Sequence, residues 1–343
     1  MKPFLSIVIK TYNEEAKIAK AIESALKVEA EIGRPVQVVV ADSLSTDRTV
    51  EIAGRYPATI VQFTDPTECG CGAGVELGFR HARGEFVYFL DGDMEIVAGF
   101  VTEALQVLAA DPQLAGVGGA VIDTQVSNAI DRVRINNKAV SRSGPCHWLE
   151  GGGLYRQAAI AAAGGYAADR NLKGYEEAEL GMRLQAAGWK LCRLARVAVT
   201  HTGHSLDTWA LLARHWRSRR AMSGGVLLRG AIGRAWLLRA CRMLLHPLAI
   251  ALWWCALPVL LTLAPASLHG ALIAGWLAAF PLVFVALAIR KHDLHHAAIS
   301  IASWHYGALA TAIGLLFPRR PPTGVMAAQI VQDSWNTAGS ALP

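Results

Sequence analysis

The sequence predicts an α/β domain, a mostly parallel sheet flanked by helices, followed by C-terminal transmembrane helices. Three observations predict it. Short buried apolar runs alternate with helical runs through the first half, the order expected of strands joined by crossover helices. Those runs end in carboxylates and small polar residues, and ligands gather at the carboxyl ends of parallel strands. The C-terminal third instead carries long stretches without a charge.

Leu5 to Lys10 reads as a short buried strand. Glu14 to Lys27 reads as a helix, with Ile18, Ile22, Ala25 and Leu26 on one face. Val36 to Ala41 is a second strand, ending at Asp42. Ser45-Thr46-Asp47 opens another helix, because short polar side chains accept hydrogen bonds from the free amides of a helix start. Thr59 to Phe63 is a third strand, Gly74 to Ala82 a helix, and Glu85 to Leu90 a fourth strand ending in Asp91-Gly92-Asp93. Later, Arg196 to Thr200 reads as a strand leading into His201.

Between Met243 and Ile289 there is no Asp, Glu, Lys or Arg, and Pro265 with Ser267-Leu268-His269-Gly270 divides this run in two. A third uncharged piece runs from Ala297 to Phe317. A helix crossing a bilayer needs about 20 apolar residues, and each piece supplies about that. The expected organisation is a catalytic domain over 1–220, a basic amphipathic interfacial helix over 221–242, a transmembrane region over 243–317 with helices at 243–264, 270–289 and 297–317, and a tail over 318–343.

Composition narrows the class. The chain is 53% hydrophobic and 17% charged. An ordinary soluble domain is about 25% charged, so a disordered chain or a solvated repeat array is excluded. The net charge of +6 suggests nucleic acid, an anionic membrane face or a phosphate-bearing ligand. No nucleic-acid motif accompanies the charge, so no nucleic-acid partner is expected. Arg229, Arg234, Arg239 and Arg242 interleave with Leu227, Leu228, Ile232, Trp236, Leu237 and Leu238, which reads as a helix on an anionic leaflet or one packed on the catalytic domain. Phe4 to Ile9 has no cleavage site, so the front domain is expected to stay cytoplasmic, in a multi-pass protein of the inner (plasma) membrane. The six cysteines form no disulfide or zinc pattern and read as reduced bystanders. Three spans put Arg319-Arg320 outside, against the positive-inside rule, unless one segment is re-entrant or interfacial. His305 and Tyr306 fall mid-span in the third piece and are expected to face protein.

Asp91-Gly92-Asp93 sets two carboxylates side by side at a strand end. That suits a hard divalent cation, Mg²⁺ or Mn²⁺, or else is a turn with two solvated acids; the preceding strand and Asp42 favour the cation.

Ser6-Ile7-Val8-Ile9-Lys10-Thr11-Tyr12-Asn13-Glu14-Glu15 resembles the opening strand of family 2 glycosyltransferases, which have the GT-A nucleotide-sugar-binding fold. Val40 to Thr49, with Asp42-Ser43 inside it, is similar to their second-strand motif. Ala82-Arg83-Gly84-Glu85-Phe86 leading to Leu90-Asp91-Gly92-Asp93 resembles the approach to their metal motif. Gly151-Gly152 and Gly164-Gly165-Tyr166 are similar to the acceptor-side glycine motifs, and Glu176 to Arg183 to the acidic helix that carries the base. The resemblance covers about Lys2 to Arg220.

The resemblance implies that Thr11, Asn13 and Glu14 line the nucleotide pocket and that Asp42 holds the base or ribose. It implies that Asp91 meets ribose and metal, that Asp93 coordinates the cation, and that His201 stands near both metal and diphosphate. Glu177 falls where the family usually has an Asp that deprotonates the acceptor, with Glu176 or Glu179 as alternatives. Trp216, Arg217, Arg220 and Glu176 are expected at the diphosphate or the acceptor, the arginines alternatively forming a juxtamembrane basic patch. Two features depart from the family: Val75-Glu76 replaces an Arg-Asn pair, and Cys69 to Gly74 reads as a flexible glycine-rich loop rather than a phosphate cradle. The implied activity is inverting transfer from a nucleotide-sugar donor, a UDP-sugar, to a lipid-linked or membrane-presented glycan acceptor. The alternatives are transfer to polyprenyl phosphate, or a non-catalytic subunit of a membrane polysaccharide complex.

Overall fold

A computed structural model describes residues 2–124, 143–202 and 208–335. The described residues fall into two compact units, one reaching Arg217 and resuming at Arg319, the other Ser218–Pro318.

In the first unit, β1 (Leu5–Thr11), β2 (Val36–Asp42), β3 (Thr59–Phe63) and β4 (Phe86–Asp91) form a parallel array in the order β3-β2-β1-β4. Their runs are apolar on both faces because helices cover both. On one side Leu5, Ile7 and Ile9 pack with Ile18 and Ile22 of α1 (Ile18–Ile32) and, across a second crossover, with Phe100 and Leu108. On the other, Val8, Val39, Val61 and Phe63 pack with Leu77 of a helix over Cys71–His81 and with Leu180 and Leu184. Burying one such aliphatic side chain is worth about 1.5–3 kcal/mol, so the two faces together hold the array.

Helix α1 starts at Ile18 rather than at Glu14, after a turn over 15–17; Glu14 N–H donates to Thr49 Oγ1 (2.8 Å) and Glu15 N–H to Asp47 Oδ2 (3.1 Å). It ends at Gly33, whose φ of 62° suits glycine and whose N–H caps Glu29 O. After α2 (Thr49–Ala53), α3 (Cys71–His81) begins three residues before its expected start. Cys71 to Gly74 is thus its first turn and not a flexible loop. Glycine serves close packing here, since a Cβ on Gly78 would lie 2.3 Å from Val8 Cγ1. Gly78→Val is accordingly expected to destabilise the protein by about 3 kcal/mol through overpacking, read as a lowered thermal unfolding midpoint in detergent.

The second half of the sheet is mixed rather than parallel. After β5 (Met94–Ile96) and α4 (Phe100–Ala110) come β6 (Leu114–Asp123), β7 (Gly144–Pro145), β8 (Gly153–Arg156), α5 (Gln157–Ala162), α6 (Glu176–Ala186) and β9 (Lys190–His201). β8 runs antiparallel to both β4 and β6, while β9 runs parallel to β6 and antiparallel to β5 and β7. Helix α7 (Thr208–Arg217) ends the unit's first stretch. The tail returns as β10 (Ala328–Gln332), antiparallel to β3 at the sheet edge.

The second unit is helical. In place of one interfacial helix over 221–242 there are α8 (Ser223–Ala231) and α9 (Leu237–Met243), separated at Gly233 (φ 74°). Leu227, Leu228 and Trp236 are buried, while Ile232 and Leu238 are exposed. α10 (Leu245–Leu263), α11 (His269–Lys291) and α12 (Leu294–Leu315) follow, and these three are long and apolar enough to cross a membrane. Leu252, Leu263, Leu277 and Leu282 are exposed on them, apolar surface of the kind a bilayer covers. His305 faces protein: its Nδ1 accepts from Trp254 Nε1 (3.2 Å), and Trp253 stacks on Trp276 at 4.1 Å.

Candidate active site

Sheet register brings the chemical groups together. β1 and β2 align so that Thr11 lies opposite Asp42, and β1 and β4 so that Lys10 lies opposite Asp91. β5 and β9 set Met94 opposite His201, one residue beyond Asp93.

The loops after β1 and β2 are knitted together. Asp42 is buried; its Oδ1 accepts from Ser45 Oγ (2.5 Å), and its Oδ2 accepts from Ser45 N–H (2.9 Å) and Gln62 Nε2 (2.9 Å). Asn13 adopts a left-handed φ of 55°, which Asn tolerates better than most residues. Its N–H donates to Ser45 Oγ (2.8 Å), and its Oδ1 accepts from Thr46 N–H (2.7 Å). Thr11, Asn13, Glu14 and Asp42 therefore share one edge, as the sequence places them. Gly92 lets the acidic turn approach, since a Cβ there would lie 2.7 Å from Thr11 Oγ1.

Asp93 Oδ2 lies 3.1 Å from His201 Nε2 and 3.9 Å from Lys17 Nζ, and His201 Nδ1 lies 2.5 Å from Asp123 Oδ1. Lys17 also sits 3.3 Å from Glu14 Oε2 and donates to Thr202 O (3.0 Å). Burial opposes the His201 charge, but Asp93 and Asp123 outweigh it and raise its pKa. Burial, then the negative charge of Asp93, raises the Glu14 carboxyl above its ordinary range. Asp91 is raised by burial against the pull of Lys10, with Asp93 and Glu176 adding to the rise. Among the described residues no three His, Cys, Asp or Glu side chains form a ready-made metal cage. A cation that keeps substrate phosphates and water as ligands needs only one or two carboxylates, and Asp91 and Asp93 are two carboxylates close in sequence at this strand end.

Lys10 Nζ bridges Asp91 Oδ1 (3.2 Å) and Glu176 Oε1 (2.9 Å). Burial works against the ammonium, yet Asp91 and Glu176 hold its pKa well above the ordinary value. Lys10→Met removes the shared partner of two acids, one of them almost fully buried. It is expected to cost about 3 kcal/mol, because an uncompensated buried charge is strongly destabilising; chemical denaturation in detergent checks it.

Helix α6 opens with three acids that differ in surroundings. Glu176 is held by Lys10. Glu179 is buried and pairs with Arg183 Nε (2.6 Å) and Nη2 (3.0 Å), while Arg183 lies over the Tyr166 ring. Glu177 is partly exposed and lines a cleft with Lys10, Asp91, Glu150 and Gly151. Glu76, at the departure from the family pattern, is structural: it pairs with Arg80 (2.9 Å) and accepts from Ala167 N–H (2.8 Å). Trp216 and Arg217 close α7 and are not among the cleft's lining residues, and Arg220 belongs to the helical unit. Lys10, Lys17, Asp123 and Glu150 are the site residues that sequence reasoning misses. For Lys10 the available signal is a charge ending an otherwise apolar strand.

Residues 6–160 match the family model described as Glycosyl transferase family 2. The chain is 32% identical over 99 residues to the dolichyl-phosphate beta-glucosyltransferase ALG5A of Trichomonas vaginalis, covering 26% of this chain and 30% of that protein. It is 32% identical over 103 residues to the undecaprenyl-phosphate 4-deoxy-4-formamido-L-arabinose transferase of Pseudomonas aeruginosa, covering 28% and 30%. The chain thus spans 30% of the length of these curated relatives. Among solved structures, the mannosyltransferase PcManGT from Pyrobaculum calidifontis, in complex with GDP-Man and Mn²⁺, superposes with a TM-score of 0.55 at 22% identity, over 92% of this chain and 88% of that one. S. aureus TarS with UDP-GlcNAc gives 0.50 at 18% identity, over 66% and 65%. These likenesses show the fold, which is GT-A.

Proposed function

Since residues 6–160 carry a family 2 glycosyltransferase domain, we propose that this protein transfers a sugar, with inversion, from a nucleotide-sugar to a lipid-linked or membrane-presented acceptor. The observation that carries this is the cleft lined by both Asp91 and Glu177, with Asp93 two residues beyond Asp91 in the turn that follows its strand. Thr11, Asn13, Glu14 and Asp42 would receive the nucleoside, and a UDP-sugar is the expected donor. Asp91 and Asp93 would hold Mg²⁺ or Mn²⁺, a reading supported by the GDP-Man and Mn²⁺ bound to the similar mannosyltransferase. Such an ion, when bound, supplies positive charge against the departing diphosphate. His201, held by Asp123, fixes the orientation of the Asp93 carboxylate. Glu177, partly exposed in the cleft that it lines with Lys10 and Asp91, would take the acceptor proton as general base.

The apolar helices and the arginines Arg229, Arg234, Arg239 and Arg242 ahead of them support a site held at an anionic bilayer of the inner membrane, with Trp216, Arg217 and Arg220 meeting a lipid phosphate or the donor diphosphate. The domain order 1–220, 221–242, 243–317 and 318–343, with the catalytic part cytoplasmic, belongs to this proposal. A second reading, that the acceptor is polyprenyl phosphate itself, is favoured by the names of the two relatives. The test is to incubate membranes holding the protein with UDP- and GDP-sugars and Mn²⁺ or Mg²⁺, then extract labelled lipid. Metal-dependent transfer into the lipid phase is expected; release of no sugar from any donor would sink the proposal.

A further inference from the structure

The polypeptide leaves the sheet-containing unit after Arg217 and rejoins it at Arg319, directly after the last residue of the helical unit, Pro318. The rejoining is specific. The Arg319 guanidinium pairs with Asp169. Arg320 Nη1 lies 2.7 Å from Glu68 Oε1, its N–H donates to Asn171 Oδ1 (2.8 Å), and its carbonyl accepts from Asn171 Nδ2 (2.8 Å). Arg80 donates to Pro322 O (2.9 Å) and Gly324 O (2.7 Å), and Arg170 donates to Val325 O (2.7 Å). β10 then adds to the β3 edge, with Ala328 opposite Phe63. A charge-paired segment followed by a strand in the sheet fixes the tail as part of this unit.

An independent observation lies wholly inside the helical unit. The last turn of α12 packs on the residues that open the unit: a Cβ on Gly314 would lie 2.0 Å from Met222 O, and one on Gly225 2.0 Å from Thr311 O. Arg229 Nη1 donates to Leu315 O (3.0 Å) and Phe317 O (2.6 Å). The first and last segments of this unit are therefore at the same end of it.

A chain that starts and finishes on one face of a bilayer crosses it an even number of times. Three full crossings would put β10 across the membrane from the β3 strand it pairs with. We infer that α10, α11 and α12 make two crossings rather than three, the remaining helix lying in or re-entering one leaflet, and that the tail stays on the side of the catalytic cleft. Arg319 and Arg320 then stand on the same side as the arginines ahead of α10, and the positive-inside conflict at the tail disappears.

The inference rests on the membrane reading of the helical unit, and the experiment separates the two. In the full chain with its six cysteines replaced by serine, Arg55→Cys marks the catalytic unit, Val325→Cys the tail, and Ser267→Cys and His292→Cys the two links between apolar helices. Each is labelled with a membrane-impermeant maleimide on sealed vesicles, before and after permeabilisation. Arg55→Cys and Val325→Cys are expected to label from the same face, and at least one link from the opposite face. Tail and Arg55 labelling from opposite faces, or both links labelling from the face of Arg55, overturns the inference. If the cysteine-free chain does not fold, a fluorescent reporter fused after Pro343 of the native chain replaces it; fluorescence on the catalytic side is expected, and export of the reporter overturns the inference. Release of the native chain by alkaline carbonate overturns the membrane reading and this inference with it, whereas retention with a tail on the far side overturns the inference alone.

Discussion

Asp93→Asn is expected to lower sugar transfer on the order of 10³-fold while the protein stays folded, because it removes a carboxylate that would hold the cation neutralising the departing diphosphate. The structural cost is small. Asp93 Oδ2 faces His201 at 3.1 Å and Lys17 at 3.9 Å; without it, His201 keeps Asp123, and Lys17 keeps Glu14 and Thr202 O. The Asn amide preserves size and a carbonyl oxygen, so the backbone pairing of Thr202 N–H with Asp93 O (3.0 Å) remains. Removal of divalent metal by a chelator should reproduce the loss in the native protein and add little to it in Asp93→Asn. The measurement is nucleoside diphosphate released per enzyme with saturating donor, with and without Mn²⁺, beside a thermal unfolding midpoint for each variant. Native-like turnover in Asp93→Asn would remove Asp93 from the site. A lowered unfolding midpoint with equal loss in both metal conditions would assign it a structural role instead.

The strand ends were legible because the sheet is buried on both faces. Leu5 to Lys10 and Val36 to Ala41 have no polar alternation to obscure their limits, so Thr11, Asp42 and Asp91 stand out as the places where the apolar runs stop. The second half of the sheet was harder to read. β6 contains Gly116, Gly118 and Gly119, which lack the side chains that announce a strand, yet Cβ atoms there would meet Leu154 O, Leu149 and Arg196 O within about 3 Å. Asp123, at the end of that strand, was hidden with it. β8 and β10 pair antiparallel with strands far away in the chain, and no local pattern encodes a partner 265 residues distant, as in Ala328 and Phe63. Helix α6 shows a finer limit. Its acids at Glu176, Glu177 and Glu179 are equivalent by composition, and burial separates them: Glu176 and Glu179 are buried in close pairs with Lys10 and Arg183, while Glu177 is partly exposed in the cleft.

That separation gives the second large effect. Glu177→Gln is expected to lower transfer to a hydroxyl acceptor by about 10²–10⁴-fold, the range that a positioned general base contributes. Gln is isosteric and Glu177 is partly exposed in the cleft, so stability should change little. Glu179→Gln should behave differently. It breaks a buried bidentate pair with Arg183, whose guanidinium also donates to Ala163 O (2.8 Å), so its dominant effect is on folding, about 3 kcal/mol or more. Measuring kcat and unfolding midpoint for both variants distinguishes a base from a structural acid. The same pair of variants reports on the acceptor. A hydroxyl must lose a proton as the glycosidic bond forms, whereas a phosphate monoester arrives as an anion and needs no strong base. If Glu177→Gln retains full turnover while Asp93→Asn does not, the donor half of the proposal stands, and either the base is Glu176 or Glu179 or the acceptor is the phosphate of a polyprenyl lipid. If both lose turnover at unchanged stability, the acceptor is a hydroxyl and Glu177 is its base.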